Sequence, residues 1–125
     1  MEVVLFDREL EVMEVLWERG SATVAEVRVA LPDEMARTTV LTVLRRLEEK
    51  GYVTHEEQGG RAHRYLPRIE RQQVRESALE RLTRRLFHGS PELLLTHLVQ
   101  RRQLSPAELR ALRDLVDGEL REEEG

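Results

Sequence analysis

The residues best placed to do chemistry lie in one stretch, residues 36–51, ARTTVLTVLRRLEEKG. At about 100° per residue, Val40, Val43, Leu44 and Leu47 share one side of a helix. The opposite side carries Thr38, Thr42, Arg45 and Arg46, with Thr39 at its edge and Arg37 on the other flank of the first turn. That set suits recognition of a polyanion. Short threonines let a helix backbone approach a groove, their hydroxyls bond phosphates or base edges, and their methyls meet the thymine methyl. Free N–H groups at the helix start attract phosphate. No acid occurs from Arg37 to Leu47; the first are Glu48 and Glu49. The rival reading is an ordinary solvated helix face.

Other chemistry is thinly supplied. His55, His63, His88 and His97 are scattered. His55 and His63 would face each other across a hairpin, but no third metal ligand accompanies them, and packed or exposed histidines are the simpler reading. No metal site and no cofactor site is expected. No glycine-rich loop joins a strand to a helix, and no serine or acid pair has catalytic spacing. The chain is expected not to be an enzyme. It contains no cysteine, which excludes disulfides, zinc-thiolate sites and thiol chemistry.

The elements that position the threonine–arginine face follow from patterning. In residues 7–19 Leu10, Met13, Leu16 and Trp17 form a helical stripe that Val12 and Val15 widen, with Asp7 as N-cap and Gly20 beyond the end. Ser21-Ala22 is a short connector. Thr23 and Glu26 make a capping box for a second helix, which Pro32 closes near Leu31. The stretch opened on above is the third helix, with Asp33 a candidate cap and Gly51 its stop. Tyr52–His55 reads as strand, Gly59-Gly60 as a two-residue hairpin turn, and residues 61–66 as the returning strand, ended by Pro67. Helix, short turn, helix and hairpin, in that order, spell a winged helix-turn-helix. Arg61 at the hairpin tip and Arg64 on the returning strand would then reach adjacent phosphates.

Residues 68–125 read as three further helices and a solvated REEEG tail. The first runs from about Arg68 to Phe87 with Val74, Ala78, Leu82 and Leu86 at stride four. Ser90-Pro91 opens the second, with Leu93, Leu94, Leu95, Leu98 and Val99. Ser105-Pro106 opens the third, with Leu109, Leu112, Leu115, Val116 and Leu120. About a dozen leucines on so short a segment make a thin core alone, so pairing of two chains is expected. The competing reading is a closed intramolecular bundle. The fold class expected is mainly α with a small β-hairpin: a winged-helix domain over 1–67 and a helical dimerisation domain over 68–125.

Charge and composition set the bounds. The 125 residues, 40% hydrophobic and 35% charged, carry a formal net charge of −4. That counts against binding nucleic acid through general basicity. Residues 1–35 carry three arginines against nine acids, a net −6, while residues 36–67 carry six bases against four acids, a net +2. Residues 68–125 balance. The only positive window is the one holding the third helix and the hairpin. There is no apolar run of membrane-spanning length and no secretory leader pattern, so the cytoplasm is the expected location, with no membrane partner.

Residues 38–67, TTVLTVLRRLEEKGYVTHEEQGGRAHRYLP, resemble the winged-helix core of the penicillinase and methicillin-resistance repressors. LEVMEVLWERGSATVAEV, residues 10–27, and LLLTHLVQRRQLSPAELRALRDLV, residues 93–116, resemble the same family, so the similarity covers nearly the whole chain. The resemblance implies a dimeric transcriptional repressor on a dyad-symmetric double-stranded DNA operator. The helix face and the hairpin read above put the expected DNA contact on Arg37, Thr38, Thr39, Thr42, Arg45, Arg46, Arg61 and Arg64. Homodimer contact falls on Val74, Leu82, Leu86, Leu94, Leu98, Leu109, Leu112, Leu115 and Val116. The resemblance also implies an off-switch: in antibiotic-resistance members a membrane sensor peptidase leads to cleavage in the C-terminal region. The matching bond joins His97 to Leu98, where those relatives carry asparagine and phenylalanine. Copper-sensing relatives carry C-terminal cysteines that this chain lacks, so their copper mechanism is not available. The alternative to a repressor is a winged helix used for protein–protein contact.

Overall fold

A computed structural model describes residues 2–60, 62–101 and 103–125. The described chain forms α1 (Asp7–Arg19), β1 (Ala22–Thr23), α2 (Val24–Ala30), α3 (Arg37–Glu49), β2 (Val53–Glu57), β3 (His63–Pro67), α4 (Arg71–Leu86), α5 (Pro91–Gln100) and α6 (Pro106–Glu124). It divides into two compact units, Met1–Leu79 and Glu80–Gly125. The expected boundary at Pro67 and this division differ because the first part of α4 packs with the first unit. Val74 leans on that unit's core. The Ser77 hydroxyl donates to the Val3 carbonyl at 3.1 Å and accepts the Val3 N–H at 2.8 Å.

In the first unit, α1, α2 and α3 close over a three-stranded antiparallel sheet of order β1-β3-β2. β1 pairs Ala22 with Tyr65 and Thr23 with Arg64, so the supposed connector is a short edge strand. Two residues are too few to show a sequence period. The core is aliphatic: Val12, Met13, Leu16, Val27, Val40, Leu44 and Leu47 are fully enclosed. On α1 the buried stripe differs from the expected one, since Leu10 is 38% exposed while Glu9 is 1% exposed. Glu9 is buried because Lys50, the chain's only lysine, reaches its Oε1 at 2.8 Å, and the Phe6 N–H donates to the same oxygen at 2.9 Å. Glu9 Oε2 is buried without a partner among the described residues. Phe6, not Asp7, is the N-cap residue of α1.

α2 begins with a reciprocal capping box. Thr23 Oγ1 accepts the Glu26 N–H at 3.2 Å, and the Thr23 N–H donates to Glu26 Oε1 at 2.9 Å. α3 starts from Ala36; Asp33, the expected cap, instead pairs with Arg8 at 3.0 Å. Gly51 follows the end of α3 at φ +83°, a left-handed conformation that favours glycine. The hairpin register pairs Glu57 with His63 and Glu56 with Arg64. Paired numbers therefore share an even sum, which leaves an odd number of loop residues and excludes the expected two-residue turn. Gly59 and Gly60 lie in this longer loop, both at positive φ.

In the second unit, α5 is capped by Ser90, whose Oγ accepts the Leu93 N–H at 3.1 Å. α6 is capped by a Ser105–Glu108 box. α6 continues through Glu124, so the tail is exposed, as expected, and helical up to that residue. Among the described residues no helix is long and apolar enough to cross a membrane.

Candidate nucleic-acid interface

α3 is held by its apolar side. Val40, Val43, Leu44 and Leu47 are buried against α1 and α2, which turns the threonine–arginine side outward. Thr38, Thr39, Thr42, Arg45 and Arg46 are all exposed, and so is Arg37 in the first turn. β-Branched Val40 and Val43 cost helix propensity, but their burial outweighs a few tenths of a kcal/mol per residue. Thr42 Oγ1 donates to the Thr38 carbonyl at 2.8 Å. Its hydroxyl proton is thereby committed within the helix, while its methyl and lone pairs stay outward. At the far end Lys50 ties α3 to α1 through Glu9.

The arginines divide into committed and uncommitted groups. Arg8 pairs with Glu11 and Asp33, Arg19 with Glu26, and Arg71 with Glu14. Arg64 is committed too: its guanidinium reaches Glu26 Oε1 at 2.9 Å, Ser21 Oγ at 3.2 Å and Gln58 Oε1 at 3.3 Å. Sequence spacing placed Arg64 on the hairpin but did not show this clamp. The Thr23 N–H, helped by the Thr23 hydroxyl and then by Arg64 and Arg19, holds the Glu26 carboxyl below its ordinary range. Arg37, Arg45 and Arg46 make no ion pair with any described residue. Arg61, expected at the hairpin tip, lies outside the described residues.

Between α3 and the hairpin runs a cleft of about 320 Å³. Arg37, Leu41 and Arg45 line it from α3, with His55, His63 and Tyr65 opposite. His55 faces Tyr65 across the ladder, which makes His63 its diagonal neighbour. The two imidazoles stack with centroids 4.8 Å apart and planes 1° from parallel. His55 Nδ1 lies 2.6 Å from Glu48 Oε2, binding the hairpin to the end of α3. Burial, with the Glu48 carboxylate, raises the Tyr65 phenol above its ordinary value, and Arg45 opposes that. Stacked rings do not converge their nitrogens on one point, and no metal-holding cluster occurs among the described residues. Sequence reasoning missed Glu48, Leu41 and Tyr65 as parts of this site; Glu48 reads as a helix-end acid until the hairpin is folded against it.

The candidate dimer residues fall into two groups. Val74 belongs with the first unit's core, and Leu94 is buried in the second unit. Leu82, Leu86, Leu98, Leu109, Leu115 and Val116 are exposed, and Leu112 is half-buried. No α6 side chain is fully buried. His97 and Leu98 both lie within α5, and the His97 ring meets Phe87 edge-on at 5.8 Å.

A three-helix unit with a small antiparallel sheet, presenting one helix by a polar face free of acids up to Glu48, defines a winged-helix protein. The penicillinase repressor family model matches residues 5–118, and the chain belongs to that family of transcriptional repressors. It is 28% identical over 113 residues to the penicillinase repressor of Bacillus licheniformis, covering 89% of this chain and 88% of that one. It is 38% identical over 120 residues to the transcriptional regulator BlaI of Mycobacterium tuberculosis, covering 91% and 86%. Among solved structures it is similar to the DNA-binding domain of the repressor BlaI, at 34% identity and TM-score 0.51, over 58% of this chain and 93% of that one. It is also similar to the B. licheniformis BlaI monomer in complex with the blaP half-operator, at 33% identity and TM-score 0.50, over 58% and 90%.

Proposed function

We propose that the chain represses transcription as a homodimer that binds a dyad-symmetric operator, each copy laying the N-terminal part of α3 in the major groove with the hairpin beside it. One observation carries this reading: α3 presents three arginines that pair with no acid among the described residues, beside exposed threonines, with no acid until Glu48. Guanidiniums already held by carboxylates elsewhere in the unit cannot serve phosphate without losing a partner; those on α3 can. The complex of the B. licheniformis relative with a half-operator supports operator binding by this chain. The dimer rests on the second unit, where no α6 side chain is fully buried and Leu109, Leu115 and Leu120 stand exposed. A bundle left so open gains most by covering those faces with a second copy. Regulated cleavage at His97–Leu98 would require α5 to open first, because the bond is helical.

Fluorescence anisotropy with duplexes taken from the protein's own genomic binding sites tests this across salt. If Arg37, Arg45 and Arg46 of both copies each neutralise a phosphate, six contacts give a log–log salt slope of about −5. Salt-insensitive binding, or no genomic site at all, would overturn the proposal and favour a protein partner.

A further inference from the structure

We infer that the cleft between α3 and the hairpin is a binding site for a small planar aromatic carboxylate, whose occupancy competes with DNA. At about 320 Å³ it stands at the small end of ligand pockets, which run from roughly 300 to 1,000 Å³. That size suits a compound of one or two rings. Its chemistry is divided in the way such a ligand needs. Arg37 and Arg45, two turns apart on one flank of α3, bring guanidiniums that no described carboxylate engages. A guanidinium binds a carboxylate through two parallel N–H bonds. Glu48, the one carboxylate among the described residues that line the cleft, is already held by His55 at 2.6 Å, so it opposes an incoming anion less than a free acid would.

The wall opposite supplies aromatic surface. His55 and His63 lie 1° from parallel, and Tyr65 meets His55 at 5.6 Å with a 44° tilt. Aromatic rings favour offset-stacked or edge-on partners, which a planar ligand provides and a compact inorganic anion does not. Leu41 and Val24 add apolar lining between the charged and aromatic walls. A bound carboxylate would occupy the two guanidiniums that α3 otherwise offers to phosphate. Linkage then requires ligand and DNA to weaken each other by the same factor. The competition rests on the DNA-binding reading of α3; occupancy of the cleft does not.

The test uses the full-length protein with benzoate as probe. The imidazole NMR signals of its four histidines are followed at neutral pH, with acetate, inorganic phosphate and benzyl alcohol as controls. Benzoate is expected to shift His55 and His63 saturably, with a Kd of about 1 mM or tighter, and to leave His88 and His97 unmoved. Arg45→Gln, an exposed position, should weaken this at least about tenfold with an unchanged melting temperature. Saturating benzoate should also lower affinity for a random-sequence duplex at least about tenfold. No shift at His55 and His63, equal shifts with acetate or phosphate, equal shifts with benzyl alcohol, or indifference to Arg45→Gln would each overturn the site. If the protein binds no duplex at all, the DNA reading fails while the histidine titration still decides the cleft. If benzoate binds but DNA affinity is unchanged, the competition is refuted.

Discussion

Replacing Lys50 with methionine removes the cation that makes a buried Glu9 tolerable. Glu9 is 1% exposed, its Oε1 lies 2.8 Å from Lys50 Nζ, and its Oε2 has no partner among the described residues. The Lys50 side chain is 31% exposed and also stands 4.7 Å over the Phe6 ring. Breaking a fully buried pair from one side costs about 3–5 kcal/mol, because a lone charge stays behind. Lys50 is only partly enclosed, so solvent screens part of the pair and the expected cost falls to roughly 2–3 kcal/mol. For a unit of this size each kcal/mol moves the midpoint by about 4–8 °C, which places Lys50→Met some 10–20 °C below the parent. Trp17 reports the right unit, since its indole N–H donates to the Ile69 carbonyl at 2.9 Å. Urea and thermal unfolding followed by Trp17 fluorescence therefore measure the effect. The companion variant Glu9→Met with Lys50→Met removes both charges at similar volume and should recover to within about 1 kcal/mol of the parent. A single variant costing less than about 0.5 kcal/mol, or a double variant no more stable than the single, would refute the reasoning.

Thr42→Glu should keep the fold, since the position is exposed, and reduce DNA affinity more than about a hundredfold by setting a carboxylate against the duplex; unchanged binding in a gel shift would remove α3 from the groove. Truncation after Leu79 keeps the whole first unit and should give a folded monomer by sedimentation, where a dimer would show that the second unit is not the dimer contact. Glu26 titrates below its unfolded value of about 4.5, so its capping contribution is present above that pH and is lost as the pH falls through the lower folded value. The melting-temperature deficit of Glu26→Gln should accordingly be largest near neutrality and shrink below about pH 4.5; a deficit that grows on acidification would contradict the assignment.

The helical faces of α3 were legible in the sequence from a period of 3.6, while on α1 the same period misplaced Glu9 and Leu10. The buried and exposed sides of α3 fall where that spacing put them, as do the capping box of α2 and the serine caps of α5 and α6. What stayed hidden depends on residues far apart in the chain. Glu9 displaces Leu10 from the core through a lysine 41 positions away. β1 exists only because β3 returns beside it. Arg64 could be placed on the returning strand, but its clamp on Glu26 and Ser21 follows from how that strand meets the start of α2. The ring stack came partly into view, since a hairpin brings His55 and His63 near each other. Their parallel planes and the Glu48 anchor depend on tertiary packing against α3.

The internal hydrogen bond of Thr42 bears on which bases α3 could select. With its proton given to the Thr38 carbonyl, Oγ1 has lone pairs to offer and nothing to donate. In a major groove those lone pairs meet the amino hydrogens of adenine N6 or cytosine N4, while guanine O6 and thymine O4 would face oxygen to oxygen. The methyl beside it packs on a thymine C5 methyl. On the proposed docking, the base step under Thr42 is therefore one that turns an amino group or a methyl toward the helix, and an operator with guanine O6 at that point is disfavoured by an unmet acceptor rather than by any clash.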